Sequence, residues 1–344
     1  MRTPPTTGAR SAVSLIAAAV LVSLAAPALA DRTAGTTLHA GAEVDDQDSQ
    51  RLDLALSALS DGGTGLDLAA AWTDTDRDTG DLSSTHVFGL VSHDFGRFGV
   101  GGGARYMRDE NYSETVGLVA AAFWDFEQVR LTARLEGRST DFDETSFTAS
   151  GEDLGMEDVV SVSGTSRCSV DSLGYGLAVD ANLERWSFYA SAMAYDYDSH
   201  DCRVEITSIV DDGTGGGGNG GNGGSPGPGW QGGVKGPMAR RLVTATAAPL
   251  AGYTSTLLPR DAALLESSVM AGASFAVGSR GLLGAELYFE TEEFAPVEAT
   301  TLLGYYSLDV GSRASLELTV GATDADGYDT AAFIGLGVYV DLGR

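Results

Sequence analysis

Apolar and polar residues alternate with a period of two along most of this chain. In the stretch 129–138, VRLTARLEGR, the odd positions are apolar or glycine, and the even positions carry three arginines, a threonine and a glutamate. Successive side chains of a β-strand point to opposite faces, so such a segment has one apolar and one charged face. The same alternation occurs at 50–59, 97–108, 313–323 and 329–342, and no helical period competes with it over a comparable length. The pattern predicts an all-β protein.

Short and long connections alternate between the predicted strands. Tight turns such as 60–65 are followed by long acidic connections such as 73–84, which predicts an antiparallel sheet with short turns at one end and long loops at the other. We count fourteen strands, and twelve or sixteen stay open as alternatives because residues 140–170 and 234–261 could each hide or lose strands. The predicted strands are 36–45, 50–59, 65–74, 85–93, 97–108, 114–125, 128–139, 171–183, 186–197, 262–278, 281–291, 297–310, 313–323 and 329–342.

The first thirty residues have the features of a secretory signal peptide. Arg2 and Arg10 give a basic start, residues 12–25 form an apolar stretch, and Ala28-Leu29-Ala30 supplies a small-residue cleavage signal. The apolar stretch is shorter than a membrane-spanning helix requires. We therefore expect residues 1–30 to be removed on export and residues 31–344 to form a single domain.

A membrane-spanning helix is not expected in the remaining chain, whereas membrane-spanning strands are. The longest convincing apolar run, 117–124, has only eight residues. A barrel strand needs only about ten residues with apolar side chains at alternate positions. The alternating strands and the alternation of short turns with long loops resemble the porin-like outer-membrane β-barrel proteins of Gram-negative bacteria, over essentially all of residues 31–344.

This resemblance implies an antiparallel transmembrane β-barrel in the bacterial outer membrane. It also implies short periplasmic turns, long acidic extracellular loops, contact with outer-membrane lipid and lipopolysaccharide, and insertion by the barrel-assembly machinery. Lipid surrounds such a barrel and water fills it, so the apolar faces of the strands are expected outside and the charged faces in the lumen.

Charged residues on the predicted inner face divide into a basic and an acidic set. The predicted pore-lining basic patch consists of Arg97, Arg105, Arg130, Arg134 and Arg138. The predicted inward acids are Glu43, Asp53, Asp67, Asp180, Glu266, Glu286, Glu290, Glu317 and Asp341. Opposed acidic and basic walls create a transverse field across a pore.

Two functions are compatible with these charges. The first is a channel for passive diffusion of small hydrophilic or charged solutes. The alternative is a structural or surface-interaction barrel, whose lumen is blocked by salt bridges between the same residues. We favour the channel because fourteen strands enclose more space than side chains alone fill.

Cys168 and Cys202 are the two cysteines of the chain, and a disulfide is expected between them because the protein is exported. If the tight turn between the neighbouring strands is centred on Arg185, Cys168 faces Cys202 and Tyr175 faces Tyr195. Directly opposed strand residues satisfy the Cα separation of less than about 7 Å that a disulfide requires. The bond would join the two strands of this hairpin above the membrane.

A glycine-rich stretch and the overall charge limit which ligands and partners the protein can be expected to bind. Residues 211–233 are predicted to be a flexible extracellular loop, because they lack both the Gly-Lys-Ser/Thr of a phosphate-binding loop and the regularly placed aspartates of calcium-binding repeats. The net charge of −27 argues against nucleic acid as a partner and favours divalent cations at the acidic loops.

We predict no enzymatic activity, cofactor or metal site. The four histidines are interpreted as solvated polar residues rather than catalytic bases, and the spacing of Ser84 and His86 is at the level expected by chance. Histidine, cysteine and carboxylate residues do not show the spacing of a metal site.

Overall fold

The computed structural model describes sixteen β-strands that belong to one antiparallel sheet. The described residues are 35–77, 80–110, 112–150, 159–211, 230–235, 264–293, 298–326 and 329–342. The predicted signal peptide lies outside these residues, as do positions 212–229 of the glycine-rich stretch. In the part of the chain that is described, no helix is long and apolar enough to cross a membrane.

In the sheet, nearly every strand pairs with the strand that follows it in the chain. They are β1 Gly35–Asp45, β2 Gln50–Leu59, β3 Thr64–Arg77, β4 Gly80–Asp94, β5 Phe98–Asp109, β6 Ser113–Phe126, β7 Val129–Phe142, β8 Thr145–Ser150, β9 Val159–Leu183, β10 Trp186–Asp211, β11 Trp230–Lys235, β12 Leu265–Val277, β13 Gly281–Glu292, β14 Glu298–Asp309, β15 Ala314–Ala325 and β16 Ala331–Asp341.

Fourteen of these strands close into a barrel, which confirms the predicted fold class and strand number. Each of the fourteen pairs with its neighbour in the ring, and the pairing of β1 with β16 completes it. The two short strands β8 and β11 lie outside the ring; β8 falls within 140–170, where the strand number was left open, whereas most of β11 falls within the predicted glycine-rich loop. Closure leaves no unpaired edge in the ring, so the backbone groups of its strands are satisfied as a lipid environment requires.

The outer face of the barrel is apolar and the inner face is polar. Leu118 and Leu177 are each 71% exposed and Leu336 is 67% exposed, all on the outer face. On the inner face of β7, Glu136 and Arg138 are buried. The stretch 129–138 therefore has its leucines outside and its arginines inside, as its alternation predicts.

Aromatic side chains mark the end of the barrel where the turns are short. Phe98 and Trp124 lie on neighbouring strands with ring centroids 5.2 Å apart, and Trp186 and Phe275 form a similar pair at 4.8 Å. Rings of aromatic residues at the edge of an apolar band are typical of membrane–water interfaces. This aromatic girdle locates one edge of the apolar belt.

The hairpin of β9 and β10 continues beyond the ring at the long-loop end. There it pairs with β8 on one side and β11 on the other. We call this four-stranded sheet the strand extension; it comprises β8, β11, residues 159–168 of β9 and residues 199–211 of β10. Residues 230–233 of the predicted glycine-rich loop belong to β11.

The register of this hairpin differs by one residue from the prediction near the membrane. Leu183 pairs with Trp186, so the turn has two residues rather than being centred on one. Tyr195 consequently faces Gly174, and the predicted pairing of Tyr175 with Tyr195 is wrong.

A β-bulge between Asp196 and Ser199 then shifts the register by one residue. Beyond the bulge Cys168 faces Cys202, and the two form a disulfide with Cα atoms 4.1 Å apart. The predicted disulfide is confirmed, although the register that leads to it is not the continuous one expected. Both cysteines are buried in the strand extension.

Candidate functional site in the barrel lumen

A cavity of about 790 Å³ lies inside the barrel and is lined by nine strands, β1 to β5 and β13 to β16. Alanines of β2 and β3 form part of the wall, so the cavity there reaches the strand backbone. The carboxylate, arginine and histidine side chains that line it are Glu43, Asp53, Glu286, Glu317, Arg51, Arg105, His39 and His86. Four of the predicted inward acids and one predicted arginine therefore share one cavity.

Hydrogen bonds and ring contacts organise the acidic wall. The His39 Nδ1 atom lies 3.1 Å from Asp53 Oδ2, and the His39 ring stacks on the Tyr339 ring with centroids 4.2 Å apart. The Tyr339 hydroxyl donates to Glu317 Oε1 at 3.4 Å. These contacts connect acids of β2 and β15 through aromatic residues of β1 and β16.

Glu286 lies on the same wall, on β13, and accepts a hydrogen bond from the Tyr288 hydroxyl. Tyr288 and Tyr305 both line the cavity, so aromatic rings alternate with carboxylates on this side of the lumen. A carboxylate beside an aromatic face is a favourable environment for an ammonium group.

A second group of charges, centred on Glu136, lies next to the cavity. The Glu136 side chain is fully buried, and three guanidinium groups contact its carboxylate: Arg138 Nε at 2.7 Å, Arg134 Nη2 at 2.8 Å and Arg105 Nε at 3.0 Å. We call these four residues the arginine cluster. Three guanidinium groups therefore contact the carboxylate of Glu136.

Gly117 allows Arg105 to reach this cluster across β6. In the sheet, Gly117 lies between Arg105 of β5 and Arg138 of β7. A Cβ atom at position 117 would lie 2.8 Å from Arg105 Cγ, so any larger side chain would displace the arginine. The glycine leaves the space through which Arg105 contacts Glu136.

Gly174 has the corresponding role on the other side of β7. It pairs with Glu136, and a Cβ atom at position 174 would lie 2.4 Å from the Tyr195 ring. The Tyr195 hydroxyl lies 3.4 Å from Glu136 Oε2 and accepts a hydrogen bond from Arg138, whose Cζ atom is 4.2 Å from the ring centroid. Two glycines thus let side chains from β5 and β10 converge on β7.

Two predicted arginines and two predicted acids lie nearer the short-turn end and do not line the cavity. Arg97 is exposed in the turn before β5. Arg130 pairs with Asp125 Oδ1 at 2.6 Å and is about half exposed. Asp67, which accepts a hydrogen bond from a serine on β2, and Asp180 also lie there. The structure therefore does not bring all five arginines together.

The other predicted acids are distributed along the barrel. Glu290 is buried on β13, beyond Tyr288 toward the long-loop end. Glu266 is exposed near the start of β12, and Asp341 is exposed at the end of β16. Among the described residues, no group of three or more histidine, cysteine or carboxylate side chains has the arrangement of a metal site.

Sequence reasoning did not identify several residues that organise the lumen. Arg51 shares the inner face of β2 with Asp53, and Glu136 lies between Arg134 and Arg138 on the inner face of β7. The period-two alternation was a sufficient signal for each of these. The function of Gly117 had no such signal, because it depends on a side chain from the neighbouring strand.

No protein-family model matches the chain, and no curated protein matches it. Solved structures do resemble it. CymD, a monoaromatic hydrocarbon channel, is 9% identical, with 93% of this chain and 92% of that chain covered and a TM-score of 0.51. The KdgM porin is 10% identical, with 88% and 98% covered and a TM-score of 0.36. OpdK of Pseudomonas aeruginosa with vanillate is 10% identical, with 90% and 98% covered and a TM-score of 0.36.

At these identities the likeness concerns the fold alone. The likeness to CymD, with a TM-score of 0.51, agrees with the closed ring of fourteen strands. The chain therefore has the fold of a porin-like β-barrel of the bacterial outer membrane, as its sequence pattern predicts.

Proposed function

We propose that the protein is a channel for passive diffusion of small hydrophilic or charged solutes across the outer membrane. The observation that carries this proposal is the charged cavity of about 790 Å³ inside the ring. A barrel with a purely structural role would have no need of four carboxylates and two arginines around an internal space, because charged groups are costly to hold away from water. In an open channel, water and passing hydrated solutes solvate these charged groups and so reduce that cost.

The pore-lining residues of this channel are a subset of those that the sequence suggests. On the basic side we assign Arg105 and Arg134, which contact Glu136; Arg138 contacts the same carboxylate but is buried behind the lumen surface. On the acidic side we assign Glu43, Asp53, Glu286 and Glu317, which share the cavity. Solutes pass without chemical change, so no residue is given a catalytic role.

Single-channel recording in planar lipid bilayers tests this proposal. Purified protein should insert and give discrete conductance steps. Replacing Arg134, whose side chain is 32% exposed, by glutamine should shift the reversal potential in a salt gradient toward cation selectivity. The matched control is Arg97→Gln, which removes the same charge from the exposed turn and should leave the selectivity unchanged.

A surface role is the second candidate, and the strand extension is the observation that favours it. This sheet is fixed by the Cys168–Cys202 disulfide and exposes charged side chains such as Arg167, Arg203 and Glu205. If the inserted wild-type protein shows no conductance, the channel proposal is wrong and the surface role is the better account. If it conducts and Arg134→Gln behaves as wild type, the assignment of the basic side is wrong.

A further inference from the structure

We infer that the cavity selects dipolar solutes, which carry an ammonium group and a carboxylate group on one small molecule, such as an amino acid or a short peptide. This inference rests on the proposed channel function and specifies its solute class. It follows from the placement of opposite charges on different sides of one internal space.

The acidic wall supplies the environment for the ammonium group. Glu286 and Glu317 each accept a hydrogen bond from a tyrosine, Tyr288 and Tyr339 respectively, which fixes the carboxylates against the wall. Tyrosine rings beside carboxylates add attraction for a cation through the ring face. Glu43 and Asp53 extend the negative wall across β1 and β2.

The opposite side supplies the environment for the carboxylate group. Arg105 lines the cavity and belongs to the arginine cluster, in which three guanidinium groups surround the carboxylate of Glu136. Arg134 extends this positive side, because its Cζ atom lies 5.8 Å from the ring centroid of Phe88, which also lines the cavity. Guanidinium groups bind carboxylates with favourable planar geometry.

A solute with one kind of charge gains from only one side of this lumen. A simple anion is attracted by the arginine cluster and repelled by the four carboxylates, and a simple cation meets the reverse. A dipolar solute can orient with its ammonium group toward Glu286 and Glu317 and its carboxylate toward Arg105. The cavity volume of about 790 Å³ falls in the range of small-molecule sites.

Four leucine derivatives of nearly equal size test the inference. They are leucine, which is dipolar, leucinamide, which is cationic, N-acetylleucine, which is anionic, and N-acetylleucinamide, which is neutral. Their initial rates of entry into liposomes containing the wild-type protein are compared at low concentration and about pH 6, where amino groups are protonated and carboxyl groups are ionised. Leucine should enter roughly two- to fivefold faster than each of the other three.

Two charge-neutralising variants and two controls locate the effect. Glu317→Gln and Arg105→Gln should each reduce the preference for leucine over the neutral derivative toward one. Arg97→Gln and Glu127→Gln remove the same charges from exposed turns and should keep the wild-type preference. Glu317→Gln alone suffices if Arg105→Gln does not fold.

Each result of this experiment has a definite reading. Faster entry of leucine that is lost in Glu317→Gln supports the inference. Equal entry of all four solutes, fastest entry of any derivative other than leucine, or a preference for leucine that Glu317→Gln retains overturns it while leaving the channel function intact. If no solute enters although the protein has inserted, the channel function itself fails.

Discussion

Replacing Glu136 by glutamine tests whether the arginine cluster stabilises the barrel. Glutamine keeps the shape of the side chain but removes the carboxylate charge that the three guanidinium groups of the cluster contact at 2.7 to 3.0 Å. The Glu136 side chain is fully buried, so water cannot reach this position to solvate the guanidinium groups in place of the carboxylate. Arg105 and Arg138 are almost as buried, and they would then repel each other.

The expected loss follows from these contacts. Removing one partner of a buried ion pair typically costs about 3–5 kcal/mol, because the remaining charge stays buried without compensation. Three cations remain here, but Arg134 is 32% exposed and can turn toward the lumen, which limits the loss. We therefore expect the free energy of unfolding to fall by about 3–5 kcal/mol.

Urea unfolding in lipid vesicles, followed by tryptophan fluorescence, measures this change. The matched control is Glu114→Gln, because Glu114 also pairs with an arginine, Arg108, but at 3.8 Å and with 46% of its side chain exposed. An exposed pair of this kind contributes less than about 1 kcal/mol. If the two variants unfold with the same free energy, the cluster does not stabilise the barrel and our reasoning about its geometry is wrong.

Three further predictions concern other parts of the structure. Gly117→Val should lower the unfolding free energy by about 1–3 kcal/mol in the same assay, because its side chain displaces Arg105; an increase, as the strand preference of valine alone predicts, would contradict this. Replacing Cys168 and Cys202 together by serine should make the strand extension sensitive to protease while the barrel keeps its heat-modifiable gel mobility, and full protease resistance would be the contrary result. Glu292 lies at the long-loop end, beyond the apolar belt, where burial raises the pKa of its carboxyl to about 7. Its contribution to stability is therefore complete below about pH 4.5 and is lost as the pH rises through about 7. Glu292→Gln should consequently be more stable than wild type at about pH 8. If both proteins lose the same free energy of unfolding as the pH rises, this prediction is wrong.

The barrel could be predicted from the sequence because its main determinant is local. A strand between lipid and water needs an apolar side chain at every second position, and this requirement appears directly in segments such as 129–138 and 329–342. Turn positions then divide the chain into strands without reference to distant residues. Each of the fourteen strands of the ring overlaps the segment that this pattern predicts for it, although β9 and β10 extend well beyond theirs.

The register of the β9–β10 hairpin was less accessible to sequence reasoning. The turn residues Glu184 and Arg185 carry no glycine or asparagine that would specify a two-residue turn, although Glu184 has a positive φ of 37°. The bulge at Asp196 to Ser199 has no sequence signature either. These two one-residue shifts compensate each other at Cys168 and Cys202, so the disulfide was predicted from an incorrect register.

The candidate site could be predicted only in part, because alternation gives the direction of a side chain but not its height in the barrel. Arg105 and Arg97 share the same face in the sequence pattern, yet only Arg105 lies beside the cavity. Strand tilt and register between neighbours determine that height. Contacts across a strand, such as Arg105 passing over Gly117 to Glu136, depend on the same register.

The access of water to the lumen is the property on which the whole account depends, and two adjacent leucines of β14 can test it. Leu303 lines the cavity, whereas Leu302 is 60% exposed on the outer, lipid-facing side. Both native cysteines are in the disulfide, so Leu303→Cys and Leu302→Cys each introduce a single free thiol. A charged, water-soluble maleimide should label Leu303→Cys in lipid vesicles and reduce its single-channel conductance, and it should not label Leu302→Cys. Labelling of Leu302→Cys but not Leu303→Cys, or of neither, would contradict an open, water-filled lumen.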